Sequence, residues 1–181
     1  MPTVFLSPST QDYNLFYDGA GSEEYYMNRI ADEMVPYLQA SGINVVRNTT
    51  EDTALTSAQK SNASNADLHL AIHSNAAPEE LAGQLRGTDV YYYTGSAEGA
   101  RAADIFANNF SLISPTPQLV DVIPTTRLAE LRRTAAPAVL IEIAYHDNPD
   151  DANWIRGNIR DIARNLSVSV ADYFGVPFRQ A

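Results

Sequence analysis

One stretch decides the fold: Ala66-Asp67-Leu68-His69-Leu70-Ala71-Ile72-His73-Ser74-Asn75-Ala76. The part Leu68–Ile72 is apolar apart from His69, and small or polar residues follow at once. This pattern predicts a buried strand that ends at His73. Strands of open α/β sheets present functional side chains at their carboxyl ends. A neutral imidazole in that position is a candidate zinc ligand or general base, although a loop histidine with ordinary hydrogen bonds has the same pattern.

Length and composition limit the class of protein. The 181 residues suit one domain, and no apolar run reaches the roughly 20 residues of a membrane span. The amino terminus lacks the features of a signal peptide, which predicts a trimmed precursor or a protein kept in the cytoplasm until release. The absence of cysteine excludes disulfides and cysteine-bound zinc, and the net charge of −10 argues against nucleic acid as a partner.

Strands and helices alternate along the chain. The predicted strands are Val4–Leu6, Ile43–Arg47, Leu68–Ile72, one within Gly83–Tyr93, and Ala138–Ala144. The predicted helices are Glu23–Ala40, Thr56–Asn65, Ala97–Leu112 and Pro149–Tyr173, with an irregular segment at Pro115–Pro124 and a helix or turn at Thr126–Arg133. This order predicts a single α/β domain over residues 1–181, with a mostly parallel twisted sheet of about five to six strands and helices on both faces.

Two carboxylates are candidate partners of His73. Glu142 interrupts the apolar run Pro137–Ala144, where a charge is costly unless it is paired, solvated or functional. It is either a general base with a raised pKa or an edge-strand residue that faces water or pairs with Arg132. Glu23 opens the first long helix, where an acidic residue either complements the helix dipole or serves as a ligand.

The two other histidines have weaker positions. His69 precedes His73 by four residues, which on a strand separates the side chains by roughly 13 Å, so the two cannot share one zinc ion. We therefore expect His69 to be structural or peripheral. His146, in the loop after the last predicted strand, either lines a substrate cleft or forms hydrogen bonds within its turn.

Taken in order, these motifs resemble those of the zinc-dependent N-acetylmuramoyl-L-alanine amidases of type 3. Ala66–Leu68 with Ile72–Ala76 matches one strand motif of that family, and Pro137–Tyr145 with Asn148 matches another. Glu23 corresponds to the glutamate that opens the family's first long helix. Most of the family has a histidine in the loop after the first strand, whereas this chain has Leu6-Ser7-Pro8-Ser9-Thr10-Gln11-Asp12. It resembles a branch with an SPSxQ-type loop.

The resemblance implies a zinc ion held by His73, Glu23 and Gln11, with Gln11 at the position of the absent histidine. Asp12 or a water molecule is an alternative for that position. Since zinc favours nitrogen over an amide oxygen, we expect weaker metal binding than in the rest of the family. Glu142 is then the catalytic base, and Asn75, Arg127 and His146 are the expected substrate contacts.

The implied function is hydrolysis of the amide between N-acetylmuramic acid and L-alanine in peptidoglycan, at the bacterial cell wall. The expected partner is peptidoglycan or its muropeptides, with no membrane or nucleic-acid partner, and the chain is expected to act as a monomer. Two alternatives remain: a peptidoglycan-binding module that has lost catalysis, and a zinc peptidase of other specificity.

Overall fold

The structure, a computed structural model that describes residues 1–181, contains one six-stranded sheet. Its strands are β1 (Thr3–Pro8), β2 (Asn44–Arg47), β3 (Leu68–Asn75), β4 (Thr88–Tyr93), β5 (Val120–Thr125) and β6 (Ala138–Tyr145). They lie in the order β2-β1-β3-β6-β4-β5, and only the β4–β6 pair is antiparallel. The predicted mostly parallel α/β fold is confirmed.

Six helices connect and cover the strands. They are α1 (Glu23–Ala40), α2 (Ala54–Ala63), α3 (Ala97–Phe110), α4 (Ala129–Arg133), α5 (Pro149–Gly157) and α6 (Ile159–Phe174). Helix α1 begins at the cap Ser22, whose side chain accepts the Tyr25 N–H, and ends before Gly42 at φ +75°. Both ends follow from local chemistry, because serine supplies a capping acceptor and glycine tolerates positive φ. No helix is both long enough and apolar enough to cross a membrane.

The chain reverses its direction of travel across the sheet between β1 and β3. From β1 it proceeds through α1 to β2 on one side, and then returns through α2 to β3 on the other side of β1. Ligands of open α/β sheets bind at such switch points, outside the carboxyl ends of the strands. The loop after β1 carries Gln11, and the end of β3 carries His73. The topology therefore brings these two residues to the same crevice.

The two faces of the sheet are covered unequally. On one face, α1, α3, α5 and α6 bury the main core of 32 apolar residues. On the other face, the buried apolar cluster has only four members, Ala71, Leu131, Ala138 and Leu140. His69, His73, Glu142 and Asp89 alternate with the main-core residues along their strands, so they lie on the thinly covered face. That face has room for a site.

Most predicted boundaries differ from the structure by one to three residues, and three differences affect the architecture or the site. Pro115–Pro124 is not wholly irregular, because β5 pairs with β4 at the sheet edge, where Pro124 needs no N–H partner on the open side. The predicted helix Pro149–Tyr173 is two helices, broken at Asn158 with φ −130° and ψ 24°, directly after the poor helix former Gly157. Strand β3 continues through His73 to Asn75, so His73 lies within the strand.

Candidate functional site

His73 and Glu142 are cross-strand neighbours on β3 and β6. Both strands are central in the sheet, so the interpretation of Glu142 as an edge-strand residue is wrong. Its Oε2 is buried and has no hydrogen-bond partner, and the suggested partner Arg132 is exposed. Burial raises the pKa of Glu142 to about 7; the charge of His73 opposes this shift, and that of Glu23 adds to it. An unpaired carboxylate with such a pKa is suited to accept and return a proton near neutral pH.

Glu23 points from the first turn of α1 into the crevice. Its side chain is 2% exposed, and its Oε1 lies 2.8 Å from His73 Nδ1 and accepts the Ser74 N–H at 3.3 Å. Its Oε2 accepts a hydrogen bond of 2.8 Å from Asn14 Nδ2. Burial alone would raise the pKa of Glu23, but the hydrogen bond with His73 and its charge lower the pKa overall. Glu23 thus faces His73 in addition to lying near the positive end of the helix dipole.

The acidic surroundings of His73 favour its charged form. Burial favours the neutral imidazole, but the hydrogen bond with Glu23 and the charges of Glu142, Glu23 and Glu130 raise the pKa of His73 to about 9. Neither of the two cavities that meet at His73 is lined by a lysine or an arginine. The crevice therefore attracts a cation.

Gln11 lies beside His73, with its Nε2 at 3.5 Å from His73 Nδ1. Its Oε1 accepts hydrogen bonds from Asn14 Nδ2 at 2.9 Å and from the Tyr13 hydroxyl at 3.2 Å. A half-turn of the amide is needed to direct Oε1 to His73. Asp12 is exposed and lines neither cavity at His73. Of the two sequence candidates for the third ligand position, the structure brings only Gln11 to the crevice.

A second buried histidine–glutamate pair, His69 and Glu130, lies next to the pair of His73 and Glu23. His69 Nε2, on the fully buried His69, is 2.8 Å from Glu130 Oε2, and Glu130 Oε1 accepts the Ser7 hydroxyl at 3.0 Å. Glu130 lines both cavities that contain Gln11 and His73. His69 is thus peripheral, as expected, and it orients a carboxylate of the crevice. No pattern in the sequence points to Glu130, because α4 is only five residues long and shows no helical period.

The loop between β1 and α1 is attached to α5 by Arg156. The guanidinium donates to both carboxylate oxygens of Asp18, at 2.7 and 2.5 Å, and to the Ala20 carbonyl at 3.0 Å. It also lies over the ring of Phe16, 5.1 Å from the centroid. We call these contacts of Arg156 with Asp18, Ala20 and Phe16 the clamp. Because the loop also carries Gln11 and Asn14, the clamp helps to fix their positions. Sequence reasoning missed both Asn14 and Arg156.

His146 lies behind the pair of His73 and Glu23, in contact with Ser74. It is 3% exposed, its Nδ1 is 2.9 Å from Ser74 Oγ, and its ring stacks on Phe16. Burial lowers the pKa of His146. It lines neither cavity at His73, and its expected contact with substrate stays a prediction. Its ring bonds to Ser74 on β3 rather than within its own turn, and Ser74 is the residue whose N–H donates to Glu23.

The two other expected substrate contacts differ in availability. Asn75 uses its side chain locally: Nδ2 donates to Asp89 at 3.2 Å, and Oδ1 accepts the Ala76 N–H at 2.9 Å. Arg127 is exposed and makes no salt bridge, and it adjoins Leu128, which lines the cavity containing Glu142. Arg127 is therefore free to meet an anionic group at the rim, whereas Asn75 is already engaged.

The donor set suits a divalent metal with one weak position. His73 supplies nitrogen, Glu23 supplies oxygen, and Gln11 supplies an amide oxygen after its half-turn. Besides His73 and Glu23, no further histidine, cysteine, aspartate or glutamate is placed to complete a three-residue metal site. The buried Oε2 of Glu142, without a partner, and the carboxylates of Glu23 and Glu130 add negative charge beside these donors. The chemistry of the crevice thus fits a zinc ion, with Gln11 or water at the third position.

Comparison with known proteins identifies the family and similar folds. A model of the N-acetylmuramoyl-L-alanine amidase family matches residues 10–171. The catalytic domain of the amidase CwlV from Bacillus (Paenibacillus) polymyxa var. colistinus has a TM-score of 0.83 at 19% identity, over 98% of this chain and 100% of that domain. An N-acetylmuramoyl-L-alanine amidase from Clostridium difficile 630 has a TM-score of 0.82 at 21% identity, over 96% of this chain and 97% of that one. Both structural similarities show that this chain has the same fold as these amidases.

A curated relative is also similar in sequence. This protein, an uncharacterized protein of Clostridium perfringens, is 27% identical in an alignment of length 146 that covers 76% of this chain. The chain spans only 42% of the length of that relative. The match of the family model extends from the loop of Gln11 through Glu23, His73 and Glu142 to the last helix. On this ground, the chain belongs to the N-acetylmuramoyl-L-alanine amidase family.

Proposed function

We propose that this chain hydrolyses the amide bond between N-acetylmuramic acid and the L-alanine of the stem peptide in peptidoglycan. The observation that carries the proposal is Glu142, a carboxylate with an unpartnered buried oxygen on a central strand, in register with His73. An unpartnered buried carboxylate of this kind destabilises a fold, so its presence indicates that it has a function. Membership in the amidase family and the similarity to amidase catalytic domains support the reaction and its substrate.

The proposed cofactor is one zinc ion held by His73, Glu23 and Gln11. When bound, zinc polarises the scissile carbonyl and lowers the pKa of a water molecule. Asn14 contacts two of the proposed ligands, because its Nδ2 donates to both Gln11 Oε1 and Glu23 Oε2. The Ser74 N–H donates to Glu23 Oε1. These contacts hold the Glu23 carboxylate against His73 before any ion arrives, whereas Gln11 has to give up its hydrogen bond with Asn14 when its amide turns toward the ion.

The proton steps belong to Glu142. Its carboxylate takes a proton from the attacking water, and the resulting carboxylic acid gives it to the leaving amine of L-alanine. The burial of Glu142 on the central strand β6 keeps its pKa near neutrality. Arg127 at the rim is the proposed contact for a carboxylate of the stem peptide. The chain is proposed to act as a monomer at the bacterial cell wall.

Digestion of purified cell walls tests the proposal. With zinc supplied, wild-type protein is expected to release new L-alanine amino termini, and Glu142→Gln is expected to release them about 10²–10⁴-fold more slowly. Leu112→Phe, at a residue 82% exposed, serves as a surface control with wild-type activity. Binding of cell walls without release would favour a non-catalytic module, and new amino termini of other residues would favour a peptidase.

A further inference from the structure

The two cavities at the site form one groove. The larger, of about 370 Å³, and the smaller, of about 220 Å³, share Gln11, Ala54, His73 and Glu130 in their linings. Gln11 and His73 therefore lie in the middle of the groove, with space on either side. A substrate that spans the reacting centre has to extend in both directions, and the two sides differ in chemistry.

The larger side, here named the polar arm, is lined mainly by hydrogen-bonding side chains from the loops after β1 and β2. They include Ser9, Thr10, Tyr13, Asn48 and Thr53. The Tyr13 side chain is 74% exposed, which leaves its ring free to stack. Asn48 is 4% exposed; its Nδ2 contacts Pro8 O and two serine hydroxyls, but its Oδ1 has no partner. The wall of this arm is thus rich in hydroxyl and amide groups.

The smaller side, here named the aliphatic arm, leads to Glu142. Its lining includes Leu128, Ala129 and Leu140. These side chains offer a small apolar surface and no hydroxyl group. Such a surface suits a short aliphatic side chain and provides no partners for the hydroxyls of a sugar.

The proton transfer fixes which way round the substrate lies. This step rests on the proposed function: the proton that Glu142 takes from water must reach the leaving nitrogen, which becomes the amine of L-alanine. That nitrogen therefore lies on the side of Glu142, and the acyl group lies on the other side of His73. We infer that the aliphatic arm binds the first stem-peptide residue through its methyl group, and that the polar arm binds the pyranose ring of the muramyl group.

A matched pair of substitutions tests this orientation. Thr10→Phe and Ala129→Phe place the same bulky ring in the polar and the aliphatic arm, and both residues make no side-chain hydrogen bond. The substrates are an N-acetylmuramoyl dipeptide that begins with L-alanine, its glycine analogue, and a D-lactoyl dipeptide without the sugar. The measured quantity is kcat/KM for each zinc-loaded variant, with Leu112→Phe as the control outside the groove.

Thr10→Phe is expected to lower kcat/KM about tenfold or more for the sugar-bearing substrate and to leave the lactoyl substrate nearly unchanged. Ala129→Phe is expected to lower the preference for alanine over glycine by a similar factor, with or without the sugar. The lactoyl substrate also reports whether Thr10→Phe is folded. The opposite pattern, or equal effects on all substrates, would overturn the orientation while leaving the amidase activity established.

A binding measurement keeps the inference testable without turnover. N-acetylmuramic acid alone, added to Glu142→Gln protein, is expected to shift the NMR amide signals of Thr10, Tyr13 and Thr53. Shifts at Leu128 and Ala129 instead, or no shifts in either arm, would overturn the assignment. If wild-type protein cleaves no substrate but these shifts occur, the proposed activity fails and the sugar site stands.

Discussion

At the residue scale, the burial that raises the pKa of Glu142 also costs the folded protein stability. Below pH 4.5 its carboxyl is protonated in both the folded and the unfolded chain. Between pH 4.5 and about 7, the unfolded chain releases this proton and the folded metal-free protein keeps it, so the contribution of Glu142 to the free energy of unfolding falls as the pH rises. This contribution falls by about 3 kcal/mol in total and is constant above the pKa of Glu142 in the folded protein.

Glu142→Gln is therefore expected to flatten this part of the pH profile. Urea unfolding of the metal-free wild type and variant at several pH values between 4 and 8 measures the difference, with a chelator present throughout. As the pH rises, the free energy of unfolding of the wild type is expected to fall relative to that of the variant, so that the two values converge or cross. Parallel profiles would show that Glu142 titrates in the folded protein as it does in the unfolded chain.

Gln11 is the residue that distinguishes this site from one with two histidines. Gln11→His is expected to raise zinc affinity by about tenfold or more, because imidazole nitrogen is a better zinc ligand than an amide oxygen. Gln11→Ala is expected to lower it. Competition with a chromophoric chelator measures both constants. Equal affinity of wild type and Gln11→Ala would remove Gln11 from the ligand set and leave water at that position.

Single residues also show what the sequence can and cannot predict. Glu142 is predictable as a site residue from the sequence, because a charge within an apolar run is anomalous wherever the strand lies. His73 is predictable because its strand is long and apolar. The contact between Gln11 and His73, and the pairing of His69 with Glu130, join residues 61 or 62 positions apart. Such contacts depend on the register of β3 and on the placement of α4, which local patterns do not determine.

At the scale of elements, the loop between β1 and α1 depends on α5. Phe16 donates its N–H to Gly21, and Tyr17 donates its N–H to the His146 carbonyl. Arg156→Met is expected to speed hydrogen exchange at these two amides, because it removes the ion pair with Asp18 and the stacking on Phe16. Amides within α6, such as that of Leu166, serve as the internal reference. Unchanged exchange at Phe16 and Tyr17 would show that the clamp is dispensable.

The same elements explain which boundaries were predictable. Helix α1 was predicted with its observed ends, since Ser22 and Gly42 act locally. Strand β5 was missed because Pro124 argues against a strand unless the strand is known to be at an edge. The break at Asn158 was missed because apolar residues continue at helical spacing on both sides of it. Edge position and helix breaks of this kind are set by packing.

At the scale of the whole molecule, the unequal covering of the sheet leaves the site open to ligands. A zinc ion that binds the folded protein and not the unfolded chain raises the free energy of unfolding, by about 2.7 kcal/mol at 100 times the Kd. Wild-type protein is thus expected to melt at a higher temperature when zinc is added, and His73→Ala is expected to melt at an unchanged temperature. An equal rise in both proteins would place the ion elsewhere.

The most direct measurement of the central claim is mass analysis of a defined N-acetylmuramoyl dipeptide after incubation with the zinc-loaded chain. The account predicts two products, N-acetylmuramic acid with an intact lactyl carboxylate and a dipeptide with a free L-alanine amino terminus, and it predicts their loss in Glu142→Gln. Cleavage between the two amino acids, an intact substrate, or equal product from Glu142→Gln would contradict it.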